Sequence, residues 1–408
     1  MRAVLSRRVH VAIGGLVSIV ALAAGPIVSA PSALAQGVPV TYKDFVYSSA
    51  ANAAPTQDKP QSKLWYQAGA WWAVMATPSN SGVGIFELVG HSWRNTGVIV
   101  DDRPTSTADT LWQNNKLYVA SRTSSGSLRL YRLSYLDASR SYSIDAGFPV
   151  QIASGGTETI TVARDSAGRL WTTWTRASQV YMAYSTTSDN AWSSPLLVPA
   201  SDVSVSSDDI SAVIATGSIV GIMWSDQAST SFRFAVHKAS STPTSDWTME
   251  TPLAGTRLAD DHLNLKSLAA DNGRIHAVVK TSLGDASTDP PTDPSLIVLS
   301  RASSGTWSQA TVATVADKLT RPQILLDETN NDIYVIMTTE GGGTGYYKKS
   351  PLSQIQFGSG KGAVFMSSSG AKINDLSTTK DPVNRTTGAV AIGSASNIRT
   401  YFHTEMTL

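Results

Sequence analysis

Val162-Ala-Arg-Asp-Ser-Ala-Gly-Arg-Leu-Trp171 runs into Thr172–Arg176, then Gln179–Ser185, then Ala191-Trp-Ser-Ser-Pro-Leu-Leu-Val198, and this stretch decides the fold. Each piece is short, rich in β-branched and aromatic side chains, and bounded by Gly, Asp, Asn or Ser turns. That is the pattern of four successive strands. The cadence returns at 263–312, where Asp271-Asn-Gly-Arg-Ile-His276 stands in the place of Asp165–Trp171, and again at 210–253 and 324–366. An aromatic residue marks the fourth strand of each unit: Trp93, Tyr142, Trp192, Trp247, Trp307 and Phe357, at intervals of 49, 50, 55, 60 and 50 residues. Tyr42 lies 51 residues before Trp93 within Val40–Ser48, whereas the 51 residues after Phe357 hold only three strand-like segments. A four-stranded unit repeating near every 50 residues predicts an all-β chain forming a single β-propeller, with seven blades and six as the alternative. The spare N-terminal strand predicts that Val40–Ser48 pairs beside Asn397–Thr407, completing the C-terminal blade and leaving no open sheet edge.

Composition sets the class. The 408 residues include 32 basic and 31 acidic side chains, 42% apolar residues and no cysteine. A net charge of +1 argues against nucleic acid as a partner, and the missing thiols exclude disulfides, thiolate metal sites and cysteine chemistry. Arg2, Arg7 and Arg8, the apolar run from Val11, and Ala33-Leu34-Ala35 read as a secretory signal peptide over 1–35, with an uncleaved anchor as the alternative. Residues 36–408 then form the propeller domain. The mature chain is expected to be a secreted, extracellular bacterial monomer, off the membrane after cleavage. No GxSxG, HExxH, P-loop or Rossmann fingerprint is present.

The turns before the fourth strands resemble degenerate Asp-boxes of the sialidase-like (BNR-repeat) propellers. Ser185-Thr-Thr-Ser-Asp-Asn-Ala-Trp192 and Ser240-Ser-Thr-Pro-Thr-Ser-Asp-Trp247 keep the Ser and Trp; Ser300-Arg-Ala-Ser-Ser-Gly-Thr-Trp307 adds the Thr; Tyr135-Leu-Asp-Ala-Ser-Arg-Ser-Tyr142 retains the Asp. The resemblance implies a structural turn on the face away from any active site. The sialidase arginine triad, its Tyr–Glu pair and the early Arg-Ile-Pro signature are not found, so sialidase activity does not follow. The wider superfamily includes exo-glycosidases and polysaccharide lyases, and the resemblance implies a carbohydrate ligand.

Chemistry is expected where the innermost strands begin, because these starts converge on one mouth of the central channel. They read Lys63-Leu-Trp65, Asp109-Thr-Leu-Trp112, Glu158-Thr-Ile160, Asp208-Asp-Ile210, Asp260-Asp-His-Leu-Asn-Leu-Lys266, Arg321-Pro-Gln-Ile324 and Lys372-Ile-Asn374-Asp375. Solvated strand ends around a water-filled pore are the plain alternative. Alternation puts His262, Asn264 and Lys266 on one side of their strand. A lyase would use His262 as base, with Lys266 and Arg321 neutralising a uronate carboxylate. A hydrolase would draw two carboxylates from Glu158, Asp209 and Asp261. Lys63, Asp109, Asn264, Arg122 and Arg176 are further substrate-binding candidates, as are Trp65 and Trp112 for sugar stacking; Asp226, Lys280 and Glu340 flank them. The long loop Ser282–Ser295 is expected to cover a site centred on His262 and Arg321. No catalytic metal or other cofactor is expected. Asp285, Asp289 and Asp293 are candidates to rim a structural calcium, with an ordinary rigid loop as the alternative.

Three classes remain open: a glycan-cleaving lyase or glycosidase, a non-catalytic lectin and a protein-binding scaffold. Cleavage is favoured because the inner-strand starts differ from blade to blade, as one asymmetric central site requires.

Overall fold

A computed structural model describes residues 37–57 and 59–408, so the expected signal peptide lies outside the described residues. The chain forms seven antiparallel sheets, six of four strands and one of five. Their innermost strands are Leu64–Gln67, Thr107–Gln113, Thr161–Arg164, Ser211–Thr216, Leu263–Ser267, Leu319–Asp327 and Ile373–Ser377, here blades 1 to 7 in that order. Blade 5 shows the unit: Leu263–Ser267, Ile275–Lys280, Pro294–Arg301 and Trp307–Thr314 pair in sequence order. Val40–Val46 supplies the outer strand of blade 7, antiparallel to Thr400–Met406, with Tyr42 opposite His403. Seven blades and the expected closure are therefore both observed. Among the described residues, no helix is long and apolar enough to cross a membrane.

The core lies between blades, and the fourth-strand aromatics reach back across these seams. Trp93 packs edge-on to His403 of blade 7 at 5.8 Å, Tyr142 against Trp72 of blade 1 at 5.2 Å, Trp247 against Trp171 of blade 3 at 6.0 Å, and Trp307 against Phe234 of blade 4 at 5.3 Å. Such pairs add about 0.5–1.5 kcal/mol beyond the area they bury. Phe234 fits because its ring lies over Gly221 of the neighbouring strand: a Cβ there would sit 2.1 Å from the ring. The aromatic markers do not all lie in fourth strands, however. Tyr142 belongs to an extra short strand, Ser141–Ile144, and Val150–Ala153 pairs on the same edge of blade 2. Trp192 makes an isolated bridge to Ser185 ahead of Leu196–Leu197, and Phe357 precedes Ala363–Met366. In these blades the aromatic fills the seam and the pairing strand comes later.

The channel is not an open pore. Blade 1's inner strand is only four residues long, and the segment before it turns into the axis as a plug. The Lys59 carbonyl accepts from Asn264 Nδ2 at 3.3 Å and Gln323 Nε2 at 2.6 Å, from blades 5 and 6. Gln61 Nε2 donates to the Ile160 carbonyl of blade 3 at 3.0 Å, and Ser377 Oγ of blade 7 donates to the Gln61 carbonyl at 3.3 Å. Ser62 N–H donates to Asp109 Oδ1 at 2.8 Å, and its carbonyl accepts from Thr110 N–H at 2.8 Å, both in blade 2. One short segment thus ties five blades together. Its buried backbone groups find partners on inner strands, as buried polar groups must.

Candidate functional site

We call upper the end at which the inner strands begin. A cavity of about 630 Å³ opens there. Arg122 reaches it from the end of blade 2's second strand, Arg176 from the end of blade 3's, Arg321 from blade 6, and Lys59 from the plug. Glu158 and Asp208, from the segments entering blades 3 and 4, and Asp375 of blade 7 supply the acidic side. The antiparallel pairing explains the assembly, since the end of each second strand lies beside the start of the first.

Lys59 organises the charge. Its ammonium contacts the Asp261 carboxylate and lies 3.5 Å from Glu158 Oε1. Burial works against its charge, but Asp261 and Glu158 outweigh burial and hold the amine above the usual lysine range. Asp261 is itself buried, which opposes ionisation, but its contacts with His262 and Lys59 hold it well below the usual carboxylate range. Arg321 Nε donates to Asp375 Oδ1 at 2.6 Å, and the backbone of Arg321 is left-handed, with φ 52°, at a register shift of its strand. That bend turns its side chain to the rim. The guanidinium of Arg176 lies 5.3 Å from the centre of the Tyr181 ring and donates to the Ser154 carbonyl.

Of the residues expected to act, Glu158, Arg122, Arg176 and Arg321 line this cavity. Others are turned inward. Lys63 Nζ is buried on Gln61 Oε1 at 2.9 Å. Asp109 receives Ser62 N–H and Val162 N–H, each at 2.8 Å. Asp209 receives Ser206 N–H at 2.7 Å and Gln227 N–H at 3.1 Å; burial raises its pKa. Asn264 links Lys59, Gln323 and Ile324. These charged or amide side chains serve as internal braces, which is how buried polar groups avoid the cost of desolvation. His262 is 7% exposed, its Nδ1 held by Asp260 and 2.6 Å from Asp261, so it backs the plug and does not line the cavity. Asp261 lies behind Lys59.

The stacking candidates are also displaced. Trp65 is 1% exposed and donates to Tyr142 Oη at 2.7 Å in the seam between blades 1 and 2. Trp112 lies near the end of its strand and lines a different cavity at the lower end, together with Lys266. This upper cavity is accordingly not centred on blades 5 and 6. Nor does Ser282–Ser295 cover it: Ser282 Oγ donates to the Ala259 carbonyl at 2.6 Å, and Asp289 pairs with Arg257. Asp289 also accepts Gly284 N–H at 2.6 Å and Ala286 N–H at 3.1 Å. Among the described residues the carboxylate and imidazole groups that converge are Asp260, Asp261 and His262, and Glu158, Asp208 and Asp261, not the three aspartates of the loop.

Sequence reasoning missed Lys59, and it placed Asp208 and Asp375 at inner-strand starts without giving either a role. The available signal was the long non-periodic interval between the closing strand and blade 1, which carries a Lys-Pro-Gln-Ser run over 59–62.

No family model and no curated protein sequence matches the chain. Solved structures do. The polysaccharide lyase Uly1 is 8% identical with a TM-score of 0.50, over 92% of this chain and 100% of that one. A fucose-specific lectin from Aleuria aurantia is 15% identical (TM-score 0.39; 60% and 75% covered), and an α-L-arabinofuranosidase from Clostridium thermocellum 9% (0.38; 61% and 92%). The first likeness bears on the fold, and the other two carry no argument. The chain is a seven-bladed propeller, and its likeness to the polysaccharide lyase is one of fold.

Proposed function

We propose that the protein is an exported, glycan-active propeller whose upper mouth holds an acidic, uronate-bearing chain and cleaves it. One observation carries this: Arg122, Arg176, Arg321 and Lys59, from four separate parts of the chain, converge on a single cavity of about 630 Å³. Guanidinium groups match carboxylates because their planar fork offers paired donors. On the acidic wall, Glu158 and Asp208 bring carboxylate oxygens within 4.8 Å of each other and of Asp261. That closeness suits a pair of carboxyl groups acting on a glycosidic bond, one as acid and one as nucleophile. His262 is too enclosed to meet a substrate, so the hydrolytic version of the reading is the stronger one.

A lectin is the second reading, favoured by the ammonium of Lys59 lying between Glu158 and Asp261. The degenerate Asp-box turns support a place near the sialidase-like propellers for either version. Purified protein should bind uronate-rich polysaccharides in calorimetry, more weakly at high salt, and release reducing ends without the absorbance of unsaturated uronates. Glu158→Gln should retain binding and stop release. Binding without release would favour the lectin, and failure to bind any acidic glycan would sink both.

A further inference from the structure

The opposite end of the channel carries a second set of chemical groups. Below the plug, the ends of the inner strands of blades 2 to 5 enclose a cavity of about 270 Å³ with walls that include Trp112, Val162, Val213, Leu265 and Pro382. Four charged residues line it: Lys266 from blade 5, Arg164 from blade 3, and Lys380 and Asp381 from the segment after blade 7's inner strand. Arg164 Nε donates to the Gly168 carbonyl at 3.0 Å. The Lys380 ammonium is engaged by the Asp109 carboxylate and the Val162 carbonyl.

Lys266 is placed differently. It is 4% exposed, and its Nζ donates to Ser62 Oγ at 2.6 Å; among the described residues no carboxylate lies within ion-pair distance of it. Burial, and then the neighbouring charge of Lys380, push the amine down to about 7, with Asp109 and Asp381 opposing. Burial pushes Asp381 up to about 6, against the pull of Lys266, Lys380 and Thr379. A desolvated lysine beside a second cation keeps its lone pair near neutral pH, and this is how lysines become nucleophiles toward carbonyl carbon.

We propose that Lys266 captures a small aldehyde or ketone in this lower cavity as an imine. The Nζ lone pair forms a bond to the carbonyl carbon while the C=O π pair moves onto oxygen. The proton of the new ammonium passes to that oxygen, giving a carbinolamine. Asp381 in its acid form donates a proton to the hydroxyl, which leaves as water while nitrogen forms the C=N bond. The products are water, an iminium and the Asp381 carboxylate, so atoms and charge balance without any oxidant. Hydrolysis returns the carbonyl, and the capture is reversible. The cavity admits a short-chain carbonyl compound and not a polymer, which separates it from the glycan reading of the upper mouth.

The probe is glycolaldehyde with cyanoborohydride on the full chain at pH 7, mapped by mass spectrometry of peptides. Lys266 should be modified about tenfold or more faster than the exposed Lys43 and Lys238. Its rate should be half-maximal near pH 7, where exposed lysines are still rising. Asp381→Asn should slow modification at Lys266 and leave Lys43 and Lys238 unchanged. An unmodified Lys266, a rate no faster than those two, or a rate that climbs only above pH 9 would overturn the proposal.

Discussion

Lys59 and Lys266 lie on the two sides of one plug, in one channel, and both amines are buried, but their charge states diverge. Lys59 meets two carboxylates and is held charged above the usual range. Lys266 meets a serine hydroxyl, shares its surroundings with Lys380, and is pushed to about 7. Burial penalises both cations, so the difference comes from the partners. The upper mouth is therefore built to hold fixed charge, and the lower cavity to hold a reactive base.

The largest test of this contrast removes the strand that closes the ring around both mouths. Deleting residues 36–49 takes away the outer strand of blade 7, together with Phe45 and the fully buried Tyr47. The aromatic losses alone cost on the order of 5 kcal/mol. Calorimetry should show a much lower and broader transition, and Lys266 should lose its neutral-pH reactivity as its cavity opens. A truncated chain that melts like the intact one would refute the closure.

Single substitutions sharpen the contrast next. Asp261→Asn leaves the ammonium of Lys59 buried with only the more distant Glu158, and should cost about 3 kcal/mol in denaturant unfolding. Lys266→Met removes a buried amine that no carboxylate contacts, and should change stability by no more than about 1 kcal/mol in either direction. If Lys266→Met proved the more damaging, the two sites would have been assigned the wrong way round.

How far the sequence anticipated this differs between ring and site. The ring was legible because strand alternation and a period near 50 residues are local signals repeated in every blade, and the unpaired Val40–Ser48 had only one place to go. Glu158, Arg122, Arg176 and Arg321 were also readable, since an inner-strand start or the end of its neighbour fixes height along the channel. Direction was not. Asp109, Asp209 and Asn264 share the same starts but turn inward, Asp109 and Asn264 to brace the plug and Asp209 to accept Ser206 and Gln227 N–H groups, and nothing in alternation distinguishes a charge facing water from one satisfied by backbone N–H groups. The plug has no period, and its decisive contacts span long separations: Lys59 meets Asp261 across 202 positions. Trp112 failed for a related reason, because it sits near the end of its strand and so at the opposite mouth.

The smallest expected effect extends the contrast to a third buried base, at the ring closure. His403 is fully buried, with Nδ1 bonded to Asp44 at 2.9 Å and Nε2 to Glu405 at 3.1 Å, and Tyr42 stacks between it and His91. Burial opposes its charge, but the two carboxylates outweigh burial and raise its pKa, as they do for Lys59. Glu405 is lowered: burial opposes its ionisation, but His403 and then His91 prevail. Burial raises Asp44 despite His403. A raised histidine contributes stability that is fully present below its unfolded value, about 6.5, and is lost as pH rises through the folded value. The Glu405 contribution runs the other way and is lost as pH falls below about 4.3. Asp44 contributes in the same sense as His403, at lower pH. The clasp should therefore be strongest between roughly pH 4.3 and 6.5 and weaken above this by about 1 kcal/mol. Lys266 has the opposite sign, gaining stability as pH rises from about 7 toward the ordinary lysine range. The measurement accordingly belongs in the Lys266→Met background, with unfolding followed from pH 6 to 9. Stability should decline across that range and the decline should flatten in His403→Gln; a parallel decline in both would assign the pH dependence elsewhere.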